Sequence, residues 1–327
     1  MTQAAVLVTG AGGFIGSHLV EELLARGQRV RALVRYTSSG GIGLLDAIPA
    51  RLRERLDVCH GDIRDARAVR QAAAGCTRIY HLAALIGIPY SYVAPDSYVA
   101  VNVQGTLHVL EAAREQGVER VVVTSTSEVY GTAQYTPIDE LHPLNAQSPY
   151  AATKVGADQL ALSYHRSFAL PVTVVRPFNT YGPRQSTRAV IPTIIAQALA
   201  ADAIQLGSLD PVRDLVFVKD TARGFIALAD AAEAVGRVTN LATGIGVSVG
   251  ELVERITRIV GRSVPVVQDE ARRRPAASEV YRLLGSARQA HALAGWQAQT
   301  ALDEGLRHTV AWMRTHGTSE RALEYRI

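Results

Sequence analysis

Val6-Leu7-Val8-Thr9-Gly10-Ala11-Gly12-Gly13-Phe14-Ile15-Gly16 decides how this 327-residue chain folds. A short apolar run ends in glycines, and helical periodicity starts at Ile15 and continues to Ala25. Strand, tight turn and helix in that order open a βαβ unit. Gly10, Gly13 and Gly16 permit the turn and let the backbone approach a pyrophosphate at the positive helix N-terminus, with Phe14 and Ile15 in the same cradle. A plain glycine-rich turn is the alternative, and a position between a strand and a helix argues against it.

Outward from that motif, strand-like and helix-like runs alternate. Gln28 to Val34, Leu56 to Val58 and Arg78 to Leu82 read as strands, Tyr98 to Gln116 as one long helix, Val121 to Thr124 as a strand, Tyr150 to Phe168 as a helix and Val172 to Val175 as a strand. Such alternation predicts an α/β fold, a Rossmann-type doubly wound parallel sheet whose ligand crevice lies at the carboxyl ends of the strands. After Arg176 the pattern loosens into a helix over Ala189 to Ala201, a strand over Leu215 to Val218 and a helix through Phe225 to Ala229. Ser248 to Val260 follows with a Ser-Val-Gly-Glu capping box, then a last helix over Ala301 to Met313. The expected division is a dinucleotide-binding domain over 1–176, with 215–240 packing back on it, and a smaller substrate-binding lobe over 177–327. Tyr98 to Gln116 and Tyr150 to Phe168 are apolar over more than one face. That predicts a two-fold homodimer built from both helices, or else a covering layer within the chain.

Hydrophobic residues make up 48% and charged residues 20% of the sequence, with a net charge of +4, as in ordinary globular proteins. Beyond the cluster Arg272-Arg273-Arg274 the cations are scattered, so no nucleic-acid partner is expected. Cys59 and Cys76 are isolated, which argues against a disulfide framework and a zinc site and implies a reduced, cytoplasmic setting without a metal. No leader pattern and no apolar run of membrane-spanning length is present, so no membrane partner is expected.

The second strand ends Leu33-Val34-Arg35-Tyr36-Thr37-Ser38-Ser39 without the acid that would hold a ribose 2′-hydroxyl. Arg35 with Ser38 or Ser39 suits a 2′-phosphate, which tilts the cofactor to NADP over NAD, although an arginine also stacks on adenine. Asp62, next to Ile63, is placed to accept from the adenine amino group or to cap a helix, and Leu82, Ala83 and Ala84 follow the fourth strand towards the same cofactor. Tyr150 and Lys154 are four apart, so a helix projects both from one face. An ammonium beside a phenol favours the phenolate, and Glu128 in Thr126-Ser127-Glu128 adds a carboxylate able to take a proton from carbon.

Together these stretches resemble the extended short-chain dehydrogenase/reductases of the nucleotide-sugar epimerase and dehydratase group. The resemblance includes His81-Leu82-Ala83-Ala84, Val101-Asn102-Val103-Gln104-Gly105-Thr106 and Ser148-Pro149-Tyr150-Ala151-Ala152-Thr153-Lys154. It continues through Arg176-Pro177-Phe178-Asn179-Thr180-Tyr181-Gly182-Pro183-Arg184 and Arg213-Asp214-Leu215-Val216-Phe217-Val218-Lys219-Asp220. Thr126-Ser127-Glu128 is similar to GDP-mannose 4,6-dehydratases. The stretch from Thr124 to Ala133, with Leu85 to Ser91, is similar to the 4,6-dehydratases of the legionaminic acid pathway, which act on a nucleotide-linked N-acetylglucosamine. Glucose-type dehydratases carry Asp where this chain has Ser127.

The resemblance implies a 4,6-dehydratase with a tightly bound, recycled NAD or NADP. Tyr150 is then the base for the sugar 4-hydroxyl, Lys154 the holder of the nicotinamide ribose, Thr126 the partner of the 4-oxygen, and Glu128 the base at C5, with Ser127 a possible proton relay. Asn179, Arg213 and Arg274 are candidates for the substrate diphosphate, Arg184 for the same group or the sugar, while Asn102 and His81 are expected to be structural. A 4-epimerase or uronate decarboxylase shares the Tyr-Lys pair and cofactor, and a non-catalytic dinucleotide-binding regulator is the alternative outside the enzymes.

Overall fold

The computed structural model describes residues 5–272 and 275–317. Ala5–Thr9 forms β1, with four of its five residues buried, as a central strand covered on both faces requires. Phe14–Ala25 forms α1, Arg29–Val34 β2 and Leu56–His60 β3. Ala66–Ala73 forms α2, capped by the Asp65 carboxylate, and Cys76–His81 forms β4. The helix expected over Tyr98 to Gln116 is present, with helical dihedrals from Pro95 to Glu115, but it widens into a π turn near its start. Ile88–Val93 forms α3, Pro95–Tyr98 α4 and Gly105–Glu115 α5, with a π-helical segment over Val99–Gln104. The wider turn rotates Asn102 into the interior. There its side chain accepts from Leu85 N at 2.8 Å and donates to Leu85 O and Thr153 Oγ1 at 3.0 Å each, tying the segment to the loop after β4 and to the next long helix.

Arg120–Thr124 forms β5, Pro149–Phe168 forms α6 and Val172–Pro177 forms β6, which is buried throughout. Beyond it come β7 (Asn179–Tyr181), α7 (Val190–Ala200), β8 (Ile204–Leu206), β9 (Val212–Phe217) and α8 (Val218–Asp230). They are followed by β10 (Val238–Leu241), β11 (Gly246–Ser248), α9 (Val249–Val260), β12 (Val266–Gln268), β13 (Arg282–Leu283), α10 (Arg288–Ala294) and α11 (Leu302–His316). The capping box of α9 is present, with Ser248 and Glu251 exchanging hydrogen bonds.

The main sheet is parallel and runs β3-β2-β1-β4-β5-β6-β10. Its order reverses between β1 and β4, and the crevice opens there at the carboxyl ends. β10 is short and half polar, so nothing in its sequence marks it as the seventh strand. A smaller assembly of β11-β9-β13 with β7, and the pair β12-β8, builds the C-terminal lobe. One core lies between the sheet, α1 and α8, a second between the sheet, α2, α5 and α6, and a third inside the lobe. Each fully buried side chain such as Leu110 or Phe225 contributes about 1.5–3 kcal/mol. Among the described residues, no helix is long and apolar enough to cross a membrane, and no group of His, Cys, Asp and Glu is placed to hold a metal ion.

Candidate active site

The N-terminus of α6 carries the Tyr-Lys pair. Ser148 caps the helix by accepting from Ala151 N at 3.1 Å, and Pro149 fills the first helical position, where a missing N–H costs nothing. Tyr150 in the first turn and Lys154 in the second are only 7% and 4% exposed, and the Tyr98 ring stands edge-on to Tyr150 with centroids 6.3 Å apart. Lys154 Nζ donates to the Thr124 carbonyl, the last of β5, at 2.5 Å. Burial pulls the Lys154 ammonium down to about 8, opposed by the Asp158 carboxylate. The phenol of Tyr150 departs from expectation. Burial pushes it well above its ordinary range, a Thr126 hydrogen bond eases the rise and the Glu128 charge adds to it. Lys154 is turned to a carbonyl, and desolvation is the largest influence on the phenol.

Past the end of β5 the chain turns once. Thr126 caps that turn, its hydroxyl accepting from Glu128 N at 3.2 Å. Ser127 is buried at 2% exposure, whereas Thr126 and Glu128 are half-buried. Thr126 and Glu128 thus both act on the Tyr150 phenol, one by hydrogen bond and one by charge. The structure brings together the end of one strand and the start of one helix, as the crevice of a parallel sheet requires.

The glycine turn has the form of a dinucleotide cradle. Gly10 has φ +68°, and a Cβ there would stand 2.7 Å from Ala83 N; a Cβ on Gly16 would overlap the Gly10 carbonyl. α1 begins on Gly13 with no side-chain cap and no acid in its first turn, so its leading amides are open to an anion. Leu82 N and Ala83 N both donate to Thr9 Oγ1 at 3.2 Å, which fixes the loop across from the turn. These residues fit a pyrophosphate. Ala84 is half-buried in the same loop and Ile63 is buried beneath α5. Asp62 pairs with Arg64 at 2.6 Å, which with a lesser pull from Arg35 holds its carboxyl below the usual range; Asp65, not Asp62, caps α2. Arg35 and Ser38 are exposed at the end of β2.

Of the four substrate candidates, Asn179 lies half-buried on β7 with its Oδ1 unpartnered. Arg184, 9% exposed, pairs with Glu21 of α1 at 2.5 Å, donates to Ala47 O at 3.3 Å and lies 5.7 Å from the centre of the Trp312 ring. Its charge ties the loop after β7 to α1. Arg213, on β9, is 3.4 Å from a Glu279 carboxylate oxygen. Arg274 lies outside the described residues.

Sequence reasoning passed over the polar layer beneath the pair. Asp158, 0% exposed, accepts from Ser125 Oγ at 2.8 Å and from Arg176 at 2.9 and 3.1 Å. Arg176 also donates to Tyr130 OH at 2.9 Å, and that hydroxyl donates to Asn240 Oδ1 at 2.8 Å. The one sequence signal is Asp158 itself, an acid four residues beyond Lys154 on an otherwise apolar helix face.

The family profile described as GDP-mannose 4,6 dehydratase matches residues 7–309. A dTDP-glucose 4,6-dehydratase of Streptomyces griseus is 36% identical over 95% of this chain and 94% of its own length. A UDP-glucose 4-epimerase of Mycolicibacterium smegmatis is also 36% identical, over 94% of this chain and 98% of its own. Among solved structures, DesIV, a dTDP-glucose 4,6-dehydratase of Streptomyces venezuelae with NAD bound, superposes with a TM-score of 0.86 at 32% identity, covering 95% of this chain and 97% of that one.

Proposed function

This chain belongs to the GDP-mannose 4,6 dehydratase family, among the extended short-chain dehydrogenase/reductases that act as nucleotide-sugar epimerases and dehydratases, and from that membership we propose that it is a nucleotide-sugar 4,6-dehydratase. The observation that carries this reading is the half-buried Glu128 in the turn after β5, a carboxylate whose charge acts on the Tyr150 phenol at the head of α6. A 4-epimerase moves one hydride and one hydroxyl proton and has no use for a second base there.

In this reading Tyr150 takes the proton of the sugar 4-hydroxyl, with Thr126 bonded to the 4-oxygen; burial alone keeps the phenol protonated, and the positive charge of an oxidised nicotinamide held beside it would be needed to favour the phenolate. The Gly10 to Gly16 cradle and Lys154 would hold a nicotinamide cofactor, which would supply the reversible hydride chemistry between C4 and C6. The 4-keto group acidifies the C5 proton, which Glu128 removes. Protonated Glu128 then donates to the departing 6-hydroxyl, which leaves as water, Ser127 being the alternative donor; hydride addition at C6 leaves an enolate whose C5 takes up one proton, balancing the one that Tyr150 removed from the 4-hydroxyl. Asn179 and Arg213 are proposed to meet the substrate diphosphate, with Arg274 in the same role.

We take NAD as the working cofactor. DesIV carries it, and it takes precedence over the NADP preference expected from Arg35. The sugar is proposed to be a hexose of the N-acetylglucosamine type, and the chain is proposed to work as a homodimer through α5 and α6. Incubation with GDP-, UDP-, dTDP- and CDP-sugars, with NAD or NADP added, tests the reading by mass spectrometry. Loss of one water supports it and is abolished in Glu128→Gln. Unchanged mass with altered stereochemistry means an epimerase, and loss of carbon dioxide from a uronate means a decarboxylase.

A further inference from the structure

Three charged side chains are sealed between α6 and the sheet: Lys154, Asp158 and Arg176, exposed to 4%, 0% and 3%. An isolated charge at such depth is strongly disfavoured unless paired and hydrogen-bonded. Arg176 meets this condition through Asp158 and Tyr130, but Lys154 has only a neutral carbonyl as its hydrogen-bond acceptor. The one ion pair among them is Arg176 with Asp158, which leaves Lys154 without a salt-bridge partner of its own among the described residues. Asp158 Oδ2 is fully engaged by Ser125 and Arg176, whereas its Oδ1 is buried without a partner. Lys154 lies one turn before it on the same helix face, where side chains four apart are neighbours.

We propose that Asp158 is a positioning residue for the Tyr150–Lys154 pair: Ser125 and Arg176 lock it in place, and it serves as the buried counter-charge of the Lys154 ammonium. The surroundings leave it without a rival. On β4, His81 is neutral, its pKa lowered to about 3 by burial and further by Lys154. On β6, Arg176 adds a second positive charge. Tyr98 and Tyr150 are neutral phenols, both raised, and the Glu128 charge acts on Tyr150. Among the described residues Asp158 is the charge that opposes the loss of the Lys154 proton; burial raises its own carboxyl, and Arg176, the Ser125 hydrogen bond and Lys154 pull it back towards the ionised form.

The inference rests on the cofactor-facing role of Lys154, so the test reads cofactor binding, independent of any sugar. NADH affinity is followed by fluorescence from roughly pH 6 to roughly pH 9 in the wild type and in Asp158→Asn. Wild-type affinity is expected to fall as pH rises through about 8, where Lys154 loses its proton. In Asp158→Asn the fall moves about one unit lower, while affinity at the acid end changes little; Asp158→Glu restores the wild-type profile. If Asp158→Asn does not fold because Arg176 is left unpaired, Asp158→Asn/Arg176→Gln is compared with Arg176→Gln alone, so that the lost Arg176 charge is common to both; the fall of the double variant is expected at lower pH than that of the single variant, and superimposed profiles overturn the proposal. An Asp158→Asn profile that superimposes on the wild type overturns the proposal, even if the melting temperature drops. Failure of the wild type to bind NADH at any pH overturns it together with the dehydratase reading, whereas NADH binding with no sugar dehydrated overturns the latter alone.

Discussion

His81 bridges two threonine hydroxyls, Nδ1 to Thr9 Oγ1 at 2.8 Å and Nε2 to Thr106 Oγ1 at 3.0 Å. Thr106 donates its own proton to Asn102 O, so it accepts from Nε2–H, and Thr9 donates to Nδ1. The arrangement requires a neutral ring, and burial lowers its pKa from 6.5 to about 3. Because the folded value lies below the unfolded one, this contribution to stability is complete above about pH 6.5. It declines as pH falls towards 3, by roughly 1.4 kcal/mol per unit. Urea midpoints measured from neutral to acid pH should fall in the wild type and fall less steeply in His81→Asn, which is weaker at neutral pH but has no imidazole to protonate. At this scale the site was partly legible. Tyr150, Lys154 and Glu128 are marked by residue type and spacing. The raised Tyr150 phenol and the Asp158–Arg176 pair were not, because both depend on depth, which sequence spacing does not encode.

Among the elements, α6 bears most directly on the site. Its capping hydrogen bond, Ser148 Oγ from Ala151 N, closes the turn that carries Tyr150, while Lys154 lies one turn deeper. Ser148→Ala should cost about 1 kcal/mol in chemical denaturation and lower turnover of the dehydrated sugar more than it lowers NADH affinity, since fraying reaches the tyrosine first. Equal losses in both would mean that the cap only supports the fold. The strands and helices of the first half were readable from alternation and from the glycine turn. The π turn inside the Tyr98 to Gln116 helix was not. Its apolar pattern runs on without interruption, and the π-helical segment follows from the inward pull of Leu85 and Thr153 on Asn102, which are tertiary partners.

The whole molecule presents α5 and α6 side by side. Near the two ends of this pair, Val99 and Phe168 remain 49% and 51% exposed. Sedimentation equilibrium should return twice the 35.1 kDa chain mass for the wild type, and close to the chain mass for Val99→Glu/Phe168→Glu. A monomeric wild type would discard the dimer. The seven-strand sheet is not written in one continuous stretch. β6 lies between β5 and β10, and β10 arrives only after the first strands of the lobe have been made. During synthesis, a ribosome that has released the chain as far as Pro177 has delivered six of the seven strands, with the outer ladder of β6 still seeking a neighbour. Until Leu241 emerges, that edge is a template for any extended peptide nearby, so the nascent chain needs shelter for as long as the lobe takes to translate.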